Sequence, residues 1–146
     1  MENGYFAPDA VALVKGKMLP SILGKVVFYQ KTDYVLVVAE VSGLPQTDTG
    51  FYGFHIHEGE RCSGANFADT KNHYNPANTT HPRHAGDLPP LLYVNGDAYL
   101  AVHTDRFTAE EIIGRTVVIH SGPDDFTTQP AGNAGTKIAC GEIIRA

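Results

Sequence analysis

Short runs of β-branched and aromatic residues recur along this chain, and their spacing restricts the folds open to it. Val11–Lys15, Lys25–Tyr29 and Tyr34–Val41 are the first three, and side chains of this kind fit a pleated, half-buried surface. Only Gln30-Lys-Thr-Asp33 separates the second run from the third, a spacing that predicts an antiparallel meander. Gly53–His57 is a fourth strand. Tyr93–Tyr99 carries Asn95-Gly96, a hairpin signal because both central residues of a type I′ turn need positive φ. Ala98–His103, Arg115–His120 and Lys137–Ile144 complete a set of eight. Thr108 and Glu111 have capping-box spacing and predict one short helix, which Gly114 can end. With 15 Gly and 9 Pro, the chain holds more helix-breaking residues than a helix bundle usually carries. The expectation is an all-β, eight-stranded antiparallel sandwich or flattened barrel, with residues 1–146 forming a single domain without internal repeats.

Two stretches interrupt the strands, Glu58–Leu92, full of Gly, Pro, Asn and His, and Ser121–Thr136, rich in Gly and Pro. Loops of that length inside a compact domain are usually functional. The formal charge of −5, from 16 acidic and 11 basic residues, argues against a partner read through its phosphate backbone, so no nucleic acid is expected. Hydrophobic residues make up 42% and charged residues 18%, a composition that folds. Tyr34–Val41 is the most apolar stretch and Glu40 breaks it, whereas a membrane helix needs roughly 20 apolar residues; no membrane partner is expected. Residues Met1–Asp9 show neither a basic n-region nor an apolar h-region. The expected location is cytoplasmic, with an exported mature form as the alternative. Cys62 and Cys140 are too few for a disulfide scaffold and are either one disulfide or two buried thiols.

Six of the seven histidines lie in the long stretches or at strand ends beside them. His55 and His57 are two apart in a strand, so their imidazoles project from one face; a polar outer face is the bland alternative. His81, His84 and Asp87 are each three apart, in a segment that Pro82 and Gly86 can turn. Two nitrogens and a carboxylate suit a divalent ion, zinc above all, while an ordinary polar loop rarely spaces three ligand types so regularly. His73 lies between the two groups, and His120 ends a strand. These seven ligand candidates are enough for more than one ion. His103 stands apart and reads as structural or surface.

Five blocks, Gly53–Glu58, His73–Pro76, His84–Leu88, Gly114–His120 and Gly132–Gly141, come in an order in which the chain resembles the copper–zinc superoxide dismutases over nearly its whole length. The resemblance implies the Greek-key form of the sandwich, with one copper and one zinc per subunit. Copper would be held by His55, His57, His73 and His120, and zinc by His73, His81, His84 and Asp87. His73 is then an imidazolate shared by both ions. Asp124, with Asp125 beside it as the other choice, would link a copper-ligand histidine to a zinc-ligand histidine and fix their tautomers. Cys62 and Cys140 would form the intrasubunit disulfide.

The implied activity is conversion of the superoxide anion to oxygen and hydrogen peroxide by one-electron cycling of copper. On copper reduction, His73 would leave copper and take up a proton while staying on zinc. Lys137 stands where the family has its active-site arginine; it keeps the charge and loses the planar fork. Lys137 and His73 are thus the implied catalytic residues. The loop after His120 is short and lacks most of the charges that relatives place there. These departures keep open a non-catalytic relative that buffers copper and zinc, or a zinc-stabilised structural module. A zinc hydrolase needs an open coordination position, and four ligands would close it. Relatives include homodimers and monomers, so a homodimer is open as well.

Overall fold

The computed structural model describes residues 7–146; the expectation drawn from the start of the chain rests in part on residues outside that range. Strands β1 (Ala10–Gly16), β2 (Leu23–Gln30) and β3 (Val35–Ser42) form the meander that the spacing predicts. Alternation explains the faces of β1 and β3. In β3, Val35, Val37, Ala39 and Val41 are buried, while Leu36 and Val38 are half-buried and Glu40 is exposed. Ala10, Ala12 and Val14 of β1 turn the same way, into the core.

The remaining strands are β4 (Phe51–Tyr52), β5 (Phe54–His57), β6 (Leu91–Leu92), β7 (Ala98–Thr104), β8 (Thr116–His120) and β9 (Lys137–Arg145). Seven of them form one curled antiparallel sheet in the order β5-β8-β9-β1-β2-β3-β7, and β4 pairs with β6 separately. The architecture is the all-β, half-barrel form of the expected class. Nine strands replace eight because the pairing near residue 93 falls on Leu91–Leu92, opposite Phe51–Tyr52. Asn95 and Gly96 both take positive φ, 51° and 91°, and turn the chain between Val94 and Asp97. Helix α1 (Ala109–Ile112) has the capping box: Thr108 Oγ1 accepts from Glu111 N–H while Glu111 accepts from Thr108 N–H. No helix among the described residues is long and apolar enough to cross a membrane.

β5 and β8 do not alternate; every residue in both is buried. Phe54 and Ile56 point into the main core, which leaves His55 and His57 on the opposite face. That face is buried as well because the two long stretches fold over it. Cys62 and Cys140 are disulfide-bonded and, with Phe67 and Val118, form a small second apolar cluster beneath the first stretch. This settles the choice between a bridge and two thiols.

Candidate metal centre

Three backbone hydrogen bonds bring the ligand segments together at β5. Tyr74 N–H donates to Ile56 O at 2.8 Å, Ile56 N–H to Gly86 O at 2.9 Å, and Gly86 N–H to Tyr74 O at 2.9 Å. Gly86 is required there, since a Cβ would meet Ile56 O at 2.2 Å. The exchange sets His73 opposite His57 and Asp87 opposite His55. At the other end, β8 and β9 slip register between Ile119 and His120, so that His120 pairs with Lys137. The bulge thereby brings a cation alongside a histidine.

Two groups of donors converge, each with its ligand atoms within 4.8 Å of one another: His55, His57, His73 and His120, and His73, His81, His84 and Asp87. His73 belongs to both. In the first group, His57 Nε2 lies 3.2 Å from His120 Nε2. In the second, His73 Nδ1 is 2.8 Å from Asp87 Oδ1, and the Nδ1 atoms of His81 and His84 are 3.1 and 3.2 Å from Asp87 Oδ2. All six histidines are buried. His55 Nδ1, His73 Nε2 and His81 Nδ1 are fully enclosed and have no hydrogen-bond partner. Buried polar atoms are normally satisfied, and three orphaned imidazole nitrogens aimed at two shared points fit metal ions. Four nitrogens suit copper; three nitrogens and a carboxylate make a closed four-donor set that suits zinc.

Asp124 joins the groups from behind. Its Oδ2 accepts from His55 Nε2 at 2.8 Å and its Oδ1 from His81 Nε2 at 2.7 Å. With each ring's proton held on Nε2, its Nδ1 lone pair points at the ligand position. Phe126 N–H adds a third bond to Oδ1. Gly132 lies against this bridge at φ 73°, and a Cβ there would come within 2.0 Å of Asp124 Oδ1. Asp125 is exposed and accepts from Thr127 and Thr128 N–H instead. His103 is exposed and stacks on Tyr34, with ring centroids 4.3 Å apart.

The electrostatics keep the donors available. Burial, reinforced by neighbouring imidazoles, pushes His57 well below the usual histidine range and His120 down to about 3. Burial also lowers His55, against the opposing pull of Asp124. Burial alone would raise the Asp87 and Asp124 carboxyls, but their histidine hydrogen bonds outweigh it and lower both from the ordinary aspartate value. Neutral imidazoles beside ionised carboxylates are the forms that bind metals.

A cleft of about 810 Å³ opens onto His57, His73, His84, His120 and Lys137. Lys137 is half-buried, and burial lowers its pKa. Its Nζ donates to Thr70 Oγ1 at 2.7 Å and to Lys71 O at 2.9 Å. Three residues that the spacing does not reveal support this geometry. Gln129 clamps His81, accepting from its N–H at 2.9 Å and donating to its carbonyl at 2.7 Å. Thr70 orients Lys137. Lys71 O also accepts from His57 Nδ1 at 2.9 Å, which turns His57 Nε2 toward the first group.

Residues 22–143 match the family model described as copper/zinc superoxide dismutase. Similar relatives include "Superoxide dismutase [Cu-Zn] 2" of Aquifex aeolicus (strain VF5), 34% identical over 84% of this chain and 79% of its own length. "Superoxide dismutase [Cu-Zn]" of Legionella pneumophila is 35% identical over 85% and 79%. "Superoxide dismutase [Cu-Zn] 3" of Arabidopsis thaliana is 36% identical over 92% and 88%.

Proposed function

The chain belongs to the copper/zinc superoxide dismutase family, and from that premise we propose that it converts superoxide to oxygen and hydrogen peroxide. In this proposal His55, His57, His73 and His120 hold copper, and His73, His81, His84 and Asp87 hold zinc. One observation carries it: His73 is shared by both donor groups, with Nδ1 facing Asp87 and a buried Nε2 that has no other partner. Copper, when bound, supplies the one-electron couple that dismutation needs and that zinc lacks.

The chain's own residues do the rest. The Lys137 ammonium, held by Thr70 and Lys71 O, keeps one N–H for a small anion entering the cleft. His73 Nε2 is the atom placed to take up a proton and return it beside that anion. Asp87 keeps the His73 ring in one orientation while the proton moves. Asp124 fixes the tautomers of His55 and His81. Burial of the other rings excludes bulk water from all but the cleft side.

The test is to load the metal-free protein with copper and zinc, or with zinc alone, and follow superoxide decay. Consumption only in the copper-loaded sample supports the enzyme. A protein that binds both metals and stays inactive would instead be a metal buffer.

A further inference from the structure

Lys71 follows the short 3-10 turn Ala65–Thr70 at φ 63° and ψ −140°. Those angles lie near the first central position of a type II′ turn, which glycine normally fills because it has no Cβ. The backbone here is used three times. Its N–H donates to Ala68 O at 3.1 Å, and its carbonyl accepts from His57 Nδ1 and from Lys137 Nζ, each at 2.9 Å. Glycine would make the same three contacts without strain. What lysine adds is an exposed cationic side chain at a position that lines the cleft. Its ammonium group has no hydrogen bond or ion pair to another described residue.

The charge at that place matters more than its size suggests. The lysine and carboxylate residues lining the cleft are Glu58, Lys71 and Lys137, so a single positive charge is in surplus. Without Lys71 they cancel. The chain as a whole carries −5, and residues 121–136, which form the opposite wall, contain no Lys or Arg. Lys71 is therefore the residue that leaves the cleft lining with a net positive charge.

We infer that Lys71 supplies the charge that recruits small anions to this cleft: its ammonium draws them inward toward Lys137. This rests on the superoxide reading above. Charge-guided association is a general device, of which superoxide dismutases are themselves an example; the assignment here concerns which residue of this chain supplies it. A unit charge about 10 Å from the anion's path in water changes its local concentration roughly twofold on neutralisation and roughly fourfold on reversal. Screening over a Debye length of about 10 Å at 0.1 M salt should erase both effects at high ionic strength.

The experiment uses the copper- and zinc-loaded protein and its Lys71→Arg, Lys71→Gln, Lys71→Glu and Lys71→Gly variants, with Lys25→Gln as a control for net charge alone. Superoxide decay is followed at about 10 mM and about 500 mM ionic strength, where the Debye lengths are roughly 30 and 4 Å. At low salt Lys71→Gln and Lys71→Gly should both lose roughly twofold in kcat/KM and Lys71→Glu roughly fourfold. Lys71→Arg should recover the wild-type salt slope, and at high salt all should converge. Lys71→Gly should be at least as heat-stable as the wild type, since it relieves the backbone. Wild-type rates in the Gln and Gly variants at low salt, or losses that persist at high salt, would overturn the inference.

Azide binding, read from the copper absorption band, supplies a second measure that needs no turnover. Lys71→Gln should weaken it roughly twofold at low salt only. If the loaded wild type consumes no superoxide, the proposed function fails, and the azide series still decides the role of Lys71: equal affinities reject it.

Discussion

Replacing Asp124 by Asn should weaken copper retention selectively, and the reason lies in which oxygen carries which bonds. Oδ1 accepts from His81 Nε2 and from Phe126 N–H, whereas Oδ2 accepts only from His55 Nε2. An amide keeps one acceptor, and two donors hold it at the Oδ1 position. The amide NH2 then faces His55 Nε2–H, donor against donor. His55 escapes only by moving its proton to Nδ1, the buried atom that has no partner and belongs to the first donor group. Metal binding must now displace that proton. Loss of such an orienting partner typically lowers affinity about 10- to 100-fold, or about 1.4–2.7 kcal/mol. The zinc group keeps its His81 contact and should weaken less than the copper group. Asp124→Ala removes both acceptors, so both groups should weaken. The assay is competition of each metal against a chromophoric chelator at pH 7, alongside the thermal midpoint of the metal-free variants to separate retention from folding. Zinc weakening more than copper in the Asn variant, or copper affinity equal to wild type, would refute the tautomer argument.

Lys137→Ala should lower kcat/KM roughly tenfold, as expected for loss of a cation a few ångströms from the bound anion, and should flatten the salt dependence while copper stays bound. Unchanged activity with an unchanged slope would remove Lys137 from anion binding. The Cys62–Cys140 bridge closes 78 residues, so reduction or the double Cys→Ser variant should lose about 4 kcal/mol in urea unfolding; a loss below about 1 kcal/mol would contradict the chain-entropy basis. The metal-free protein should also lose stability in acid. His57 and His120 have folded-state values depressed mainly by burial, His120 to about 3, so the unfolded chain binds protons first. Their contribution is complete above about pH 6.5 and is lost progressively as pH falls toward 3, at up to about 1.4 kcal/mol per pH unit for each ring. A flat urea midpoint between pH 7 and 5 would count against it.

The sequence exposes some of these features and conceals others for physical reasons. Alternation marks β1 and β3 because one face of each is more exposed than the other, while β2, buried without a break from Val26 to Phe28, is marked only by its β-branched and aromatic run. β4 and β6 are two residues each, too short to carry a period. β5 and β8 are covered on both faces, so burial erases their alternation. The 3-10 turn stays hidden because, after Gly64, its positive φ values fall on Asn66, Phe67 and Lys71 rather than on glycines; the buried Phe67 side chain, packed in the disulfide cluster, holds it there. The histidine spacing was informative because two residues along a strand fix a shared face. Thr70, Gln129 and the Lys71 carbonyl leave no such trace, since their partners lie 14 to 67 positions away in the chain and meet only after the two stretches dock. Asp124 and Asp125 are indistinguishable as letters, and one points inward while the other caps a turn.

The same docking implies that metal and loop structure hold each other. Enclosing six imidazoles and two carboxylates is unfavourable unless their donors and acceptors are matched, and three ring nitrogens are not matched by protein atoms. Each unsatisfied buried nitrogen costs on the order of 1–3 kcal/mol, and these three lie where residues of both long stretches meet β5. Relief of that cost is available in two ways: a metal can take the lone pairs, or the stretches can lift and let water in. The apolar core draws most of its residues from the strands, taking only Tyr74, Ala85, Leu88 and Leu91 from the first stretch and none from the second, so the sheet depends less on that choice than the stretches do. Metal removal should therefore loosen residues 58–92 and 121–136 before the sheet, and amide exchange should show protection lost at Tyr74 and Gly86 while Val37 and Val117 stay protected. Equal loss in the sheet and in the stretches would mean that the core itself needs the ions.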